Sequence, residues 1–261
     1  MEPFVKIDGS EKGIASITFF HPQSNSLPGE LLRKLAKYIE EAGKERNVKV
    51  IILKSIGDKA FCAGASFDEL LEIAETALLN IEEARMKAKD FFSGFAMVIN
   101  AIRKVPQFVI GRVHSKAVGG GVGLASAVDY CFATREASVK LSELAVGIGP
   151  FVVGPAVQRK IGVSAFSQMS IHATQWFSAQ WAKEKGLFYE VYDRVDEMDA
   201  AIDKLAQQLA GSSSDAMRHL KRVFWEGTEH WDELLIQRAG ISGELVLSEH
   251  TRQFILSFKK K

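Results

Sequence analysis

A chain of 261 residues, of which 47% are hydrophobic, is long enough to bury the core of one large globular domain. Its 33 basic residues balance 32 acidic residues to a net charge of +1, so no overall electric field favours binding to nucleic acid or to a membrane. No apolar run approaches the roughly 18 residues of a membrane-spanning helix, and the first residues lack the pattern of a secretory signal. Cys62 and Cys131 form neither a disulfide framework nor a metal-ligand pair. These features predict a cytoplasmic protein with two buried, reduced thiols.

The first part of the chain predicts a strand pair followed by a helix and a buried strand. Residues alternate in character over 13–20, and Gly9-Ser10 predicts a turn between this strand and one over 4–8. Leu27-Pro28 opens a predicted helix, because proline is favoured in the first helical turn. The mostly apolar segment 48–53 is typical of a strand inside a parallel sheet.

The rest of the chain predicts more helix than strand. The elements expected are a helical region over 67–104, a strand over 108–113, a helix over 122–128, strands over 130–134 and 137–141, helical segments over 156–161, 166–171 and 178–186, and a purely helical region after about 196.

Three consecutive glycines, Gly119 to Gly121, lie between the predicted strand 108–113 and the helix that follows it. Glycine allows strained backbone angles and a close approach to a ligand, and a helix start supplies amides without intrahelical acceptors. Backbone amides aimed at a carbonyl oxygen that gains negative charge form an oxyanion hole. Downstream of this stretch, Glu143 is a lone carboxylate among apolar neighbours. Such surroundings should raise the pKa of Glu143 towards the working range of a general base.

Other catalytic motifs are missing from the sequence. The glycine run does not fit the dinucleotide-binding pattern, because Leu124 stands where the last glycine belongs. The chain has no phosphate-binding Gly-Lys-Ser/Thr loop and no Gly-x-Ser-x-Gly nucleophile elbow. Its six histidines lack metal-ligand spacing, so no metal site is expected. His114 lies six positions before Gly120 and stays a weaker candidate for lining the site.

The glycine triplet with a glutamate about twenty residues later resembles the crotonase (enoyl-CoA hydratase/isomerase) superfamily. The segment from Ala60 to Ser66 is also similar to the Ala-Phe-Cys-Ala-Gly-Ala-Asp segment of that family, with Ser66 in place of the aspartate. The resemblance covers most of the chain. It implies an α/β crotonase (ClpP/crotonase-like) fold, in which repeated β-β-α units form a spiral core over 1–195. A C-terminal helical region over 196–261 would then form trimer contacts.

The resemblance also implies roles for particular residues. Ala65 and Gly120 would supply the two oxyanion amides, and Glu143 would be the acid–base group. The residues implied in binding substrate or coenzyme A (CoA) are Ala63, Ala65, Phe67, Gly119, Gly120, Phe151, Phe258 and Lys259. Aromatic and aliphatic residues over 91–98 are candidates for an acyl pocket or for simple core. The implied ligand is an acyl-CoA substrate, with no further cofactor, and the implied assembly is a homotrimer or a dimer of trimers.

One departure from the family pattern bears on the reaction. Family hydratases have a second glutamate at the position of Gly123, which has no side chain here. A single carboxylate holds an attacking water poorly but can move a proton between two carbons, so the resemblance favours a delta3-delta2 enoyl-CoA isomerase. A hydratase that takes a second acid from Asp68, Glu69 or Glu72 stays open. A family member that binds acyl-CoA without turnover also stays open, and a 3-hydroxyacyl-CoA hydrolase is disfavoured because Phe151-Val152 replaces its acidic residue.

Overall fold

The structure, a computed structural model, describes residues 1–9 and 12–258. The strands are β1 (Phe4–Asp8), β2 (Ile14–Phe20), β3 (Ser26–Leu27), β4 (Val50–Ser55), β5 (Ala60–Cys62), β6 (Gly64–Ala65), β7 (Phe108–Val113), β8 (Lys116–Val118), β9 (Tyr130–Thr134), β10 (Ser138–Lys140), β11 (Phe177–Ser178) and β12 (Glu190–Tyr192). The helices are α1 (Gly29–Lys44), α2 (Phe67–Leu79), α3 (Ile81–Lys104), α4 (Gly120–Ala127), α5 (Glu143–Val146), α6 (Gly154–Ile171), α7 (Ala179–Glu184), α8 (Val195–Ala210), α9 (Ser214–Phe224), α10 (Trp231–Val246) and α11 (Glu249–Ser257).

Successive strand pairs along the chain contribute one strand to each of two sheets. The larger sheet has the order β1-β2-β4-β7-β9-β12, and the smaller has the order β11-β10-β8-β5. In each of the pairs β4-β5, β7-β8 and β9-β10, the first strand enters the larger sheet and the second enters the smaller one. Strands β2, β4, β7, β9 and β12 pair in parallel, and β1 joins the edge antiparallel to β2. This arrangement gives the predicted α/β core of repeated units.

The larger sheet is buried on both faces, as its apolar strands predict. Successive side chains of a strand point to opposite faces, so Ile51 and Leu53 join the main core while Val50 and Ile52 face the other way. Helix α8 covers that second face with a small cluster that includes Ile202. Cys62 and Cys131 are free and buried, as predicted.

One predicted boundary is wrong for an identifiable reason, and one predicted interruption of a helix is confirmed. The helical region predicted over 67–104 is two helices that meet at Asn80, whose side-chain oxygen accepts hydrogen bonds from the amides of Glu82 and Glu83 at 3.2 Å each. Asparagine is a strong N-cap, so α3 begins there. The segments 156–161 and 166–171, predicted separately, belong to the two parts of α6, which a non-helical residue, Gly162 with φ at +77°, divides as predicted.

The helices after residue 195 are bound to the core through packing and one buried ion pair. Helix α10 packs along α3, and α11 packs on α2. In α9, the Lys221 ammonium donates to the carboxylate of Asp129 at 2.8 Å, and the two side chains are only 3% and 6% exposed. Asp129 also accepts from the Trp225 indole at 3.0 Å. Over the described residues, no helix combines the length and apolarity that crossing a bilayer requires.

Candidate active site

A cavity of about 460 Å³ opens between the start of α4, the helices α2 and α3, and the turn that carries α5. Its walls are mostly apolar. The apolar side chains that line it are Phe67, Leu70, Phe92, Phe95, Val146, Ile148, Pro150, Val152 and Val153. Ala63, Ala65, Gly119, Gly120 and Glu143 border the same cavity, so the structure brings together most of the residues that the sequence singled out.

The backbone at Ala65 borders this cavity and belongs to a two-stranded parallel ladder. Strand β3 pairs with β6, and the Ser66 amide donates to the Leu27 carbonyl at 3.3 Å. Neighbouring amides of an extended strand point to opposite sides, so the Ala65 amide faces away from β3. Gly120 is the first residue of α4, where the amide has no acceptor within the helix. A Cβ atom added at Gly64 would lie 3.2 Å from the Gly120 nitrogen, so the two segments approach closely.

Glu143 is the first residue of α5, just after the short strand β10. Its Oε2 atom is buried without a hydrogen-bond partner among the described residues. Its Oε1 atom lies 3.0 Å from the position that a Cβ atom on Gly119 would take. Burial raises the pKa of Glu143 from 4.5 to about 7, and its own backbone amide lowers that pKa only in part. This carboxyl group therefore sits above the start of α4 with a proton affinity suited to acid–base catalysis near neutral pH.

The space beside Gly123 is filled by an apolar side chain. A Cβ atom added at Gly123 would lie 2.5 Å from Cγ1 and 2.7 Å from Cβ of Val153. Val153 is buried, with 1% of its surface exposed. A carboxylate at position 123 would need Val153 to move, so this wall of the cavity holds no second acid.

Of the three other acids considered from sequence, Asp68 borders the cavity. It accepts a hydrogen bond of 2.6 Å from the Gln23 side chain. Glu69 instead accepts from the Gly29 amide at 2.7 Å at the start of α1, and burial raises its pKa. Glu72 pairs with Lys87 at 2.9 Å on the surface.

Several sequence candidates have places other than those expected. Phe151 does not line the cavity; its ring lies against Gly149, and its neighbours Pro150 and Val152 line the wall instead. His114 borders a different groove, where its Nε2 atom lies 2.7 Å from the Gly57 carbonyl oxygen.

The aromatic candidates divide between the pocket and other surroundings. Phe92 and Phe95 line the cavity, whereas Phe91 and Val98 belong to the core and Met97 is 43% exposed.

Phe258 lies against the cavity wall of its own chain. Its ring packs edge-on against Phe67, which lines the cavity, with 5.2 Å between the ring centroids. Lys259, the other candidate from the C-terminal end, lies outside the described residues.

Asn25 has a structural role at this site that the sequence reasoning missed. Ser24 and Asn25 have φ values of +55° and +57°, in the left-handed region that residues other than glycine and asparagine seldom adopt. The Asn25 side chain accepts from the His21 amide and donates to the carbonyls of Ile56 and Ala60, each at 2.8 Å. It therefore ties the loop before β3 to the strand that leads to the Ala65 amide. An asparagine between a strand and a helix was the available signal.

Comparison with known proteins places this arrangement in a family. A sequence model described as "Enoyl-CoA hydratase/isomerase" matches residues 9–258. The chain belongs to the enoyl-CoA hydratase/isomerase family. The expected fold and the resemblance to the crotonase superfamily are thereby confirmed.

Individual relatives agree with this family assignment. The chain is 32% identical over 218 residues to YngF of Bacillus subtilis (strain 168), an enoyl-CoA hydratase/isomerase-type protein, covering 83% of this chain and 79% of YngF. It is 31% identical over 209 residues to the mitochondrial methylglutaconyl-CoA hydratase of Mus musculus, covering 78% of this chain but only 63% of that longer protein. The crystal structure of an enoyl-CoA hydratase from Bacillus halodurans superposes with a TM-score of 0.84 at 20% identity, covering 97% of this chain and 99% of that one, which shows a shared fold.

Proposed function

We propose that this member of the enoyl-CoA hydratase/isomerase family is a delta3-delta2 enoyl-CoA isomerase. The thioester oxygen of the substrate accepts hydrogen bonds from the amides of Ala65 and Gly120. Glu143 removes a proton from C2, the electron pair spreads over the dienolate, and Glu143 returns the proton to C4. The double bond thereby moves from C3–C4 to C2–C3, with no net change in atoms or charge.

The observation that carries this proposal is one unpaired buried carboxylate facing an apolar wall. Glu143 has a free oxygen atom, and Val153 occupies the space where a second acid would extend from Gly123. Adding water to a double bond requires groups that hold and activate that water, whereas shuttling a proton requires a single base near both carbons. A pKa of about 7 lets Glu143 take up a proton and release it again with little driving force either way.

The remaining expectations for the site form part of the same proposal. Ala63, Phe67 and Gly119 would contact the acyl-CoA, with Phe258 and Lys259 at the nucleotide end of CoA. The thioester would be the substrate, and no further cofactor would take part. The functional protein would be a cytoplasmic homotrimer or dimer of trimers.

A hydratase is the second candidate because of Asp68. This carboxylate borders the same cavity and could serve as the second acid. The 31% identity to a protein named methylglutaconyl-CoA hydratase supports the same alternative. The third candidate is a family member that binds acyl-CoA without turnover. The unpaired Glu143 carboxylate beside the amides of Ala65 and Gly120 favours a catalytic function over binding alone.

Two substrates and two variants separate these functions. Purified protein is supplied with a 3-enoyl-CoA and, separately, with a 2-enoyl-CoA, and products are followed by ultraviolet absorbance and mass. Isomerisation of the first without hydration of the second supports the proposal. Glu143→Gln should then lower kcat by about 10²–10⁴, while Asp68→Asn stays near the wild-type rate. Hydration that is lost in both variants would instead establish the hydratase, and binding without either product would establish the third function.

A further inference from the structure

The last helix of the described chain touches both sides of the site. At its beginning, α11 packs against the turn that follows Glu143. At its end, Phe258 packs on Phe67, which lines the cavity. Thr251 lies at the first of these contacts and is fully buried, with 0% of its surface exposed.

Thr251 binds the turn after Glu143 through its hydroxyl group. The Thr251 Oγ1 atom donates to the Gly147 carbonyl at 3.2 Å and accepts from the Ser248 hydroxyl at 3.0 Å. Gly147 ends α5 in the left-handed conformation, with φ at +93°. The amides of Gly147 and Ile148 donate back into α5, the second of them to the Glu143 carbonyl at 3.0 Å. A side chain at Gly147 would collide with the Thr251 hydroxyl, so the Thr251 side chain lies tightly against the Gly147 backbone.

Helix α5 is too short to fix its own position. It is four residues long, and no residue in it is buried to the degree of the core. A helix of one turn is unstable on its own, because the cost of nucleation exceeds the gain from so few hydrogen bonds. The position of Glu143 must therefore come from contacts made by the flanking turn, and α11 makes one of these contacts.

We propose that Thr251 is a positioning residue for Glu143. Its hydroxyl holds the Gly147 carbonyl and so fixes the turn that keeps the Glu143 carboxyl group buried over Gly119. The inference rests on the proposed function in taking Glu143 as the catalytic acid–base group. Loss of the hydroxyl loosens the turn, admits water to the carboxyl group, and moves it away from the reacting carbons.

The ionisation of Glu143 reports directly on this arrangement. Its raised pKa comes from burial, and no charged partner contributes to it. Two other titratable side chains are close by: Asp68 on α2, which borders the same cavity, and His250 on α11, whose ring lies beside Gly147. Admitting water lowers the pKa of a buried carboxyl group, so a loosened turn should move the pKa of Glu143 down from about 7 towards 4.5.

Three variants of the full chain test the proposal. Thr251→Val keeps the shape and removes the hydroxyl, and Thr251→Ser keeps the hydroxyl. Ser213→Ala is the control, because Ser213 caps α9 by accepting from the Ala216 amide at 3.3 Å, on an exposed surface away from the cavity. Each variant is examined by carbon-13 NMR titration of Glu143, by hydrogen exchange of the peptide over residues 143–149, and by kinetics.

The proposal expects a distinct result for Thr251→Val. Exchange over 143–149 rises, the Glu143 titration moves to lower pH, and kcat falls about tenfold to a hundredfold while KM changes less than about threefold. Thr251→Ser keeps exchange, the Glu143 titration and kcat near their wild-type values. Ser213→Ala lowers global stability at most and leaves these three quantities unchanged. Unchanged exchange and titration in Thr251→Val overturn the proposal, as does an increase in exchange that is spread evenly over the chain. Because titration and exchange need no turnover, they test the role of Thr251 even if the wild-type protein shows no isomerisation.

Discussion

Replacing Glu143 by glutamine should change how stability depends on pH. The buried carboxyl group has a pKa of about 7 in the folded protein against an ordinary value of 4.5. The folded state therefore holds this proton more tightly than the unfolded state does, and stability falls as the pH rises from about 4.5 to about 7. A difference of about 2.5 pH units, at about 1.36 kcal/mol for each, corresponds to about 3 kcal/mol.

Glutamine does not ionise, so Glu143→Gln loses this dependence. Whatever the glutamine costs in packing, the free energy of unfolding of the variant relative to the wild type should increase by about 3 kcal/mol between pH 4 and pH 8. Urea unfolding at a fixed protein concentration, followed by fluorescence of the four tryptophans, measures this difference in unfolding free energy at each pH. Glu244→Gln, at an exposed residue of α10, controls for loss of a negative charge. A difference between Glu143→Gln and wild type that stays constant over this pH range would refute the reasoning.

The same geometry makes three further predictions. If Glu143 is the base, kcat/KM for isomerisation should rise as pH increases through about 7, and a flat profile from pH 5 to 8 would contradict that role. Gly123→Ala should lower the free energy of unfolding by about 1–3 kcal/mol, because the added Cβ meets Val153. Val153→Ala should relieve that loss in the double variant, and purely additive changes in unfolding free energy would argue against the contact. Lys221→Met leaves the Asp129 charge buried without its ion-pair partner and should lower the free energy of unfolding, measured in urea, by about 3–5 kcal/mol. A loss below about 1 kcal/mol would show that other groups or water stabilise the Asp129 charge.

The outline of the sheet could be predicted from sequence because its strands are regular. Residue alternation and a glycine turn predict the strands β1 and β2 almost to the residue, and the structure pairs them with Phe4 opposite Phe20. The break at Asn80 was harder, since apolar residues continue on both sides of it. An asparagine followed by two glutamates is a capping signal that could have located the start of α3.

The candidate site was predictable in its residue types and less so in its contacts. Glu143 and the two amide positions came from a family resemblance, and the structure places all three at one cavity. The contact of Gly123 with Val153 joins positions thirty residues apart, which local patterns do not reveal. Phe151, predicted to bind substrate, does not line the cavity, and its ring lies against Gly149, which is in a left-handed turn with φ at +88°.

The oxyanion donors proposed here belong to the main chain, and this has a consequence for evolution and engineering. Every residue type except proline brings its own amide, so substitution at position 65 reshapes the pocket without deleting the donor. The donor geometry is instead sensitive to substitution forty residues earlier, at Asn25, whose side-chain amide holds the loop beside this strand by three hydrogen bonds. Acyl preference can therefore drift through changes in the cavity wall while the donor geometry is inherited unchanged, provided that the Asn25 tether is kept.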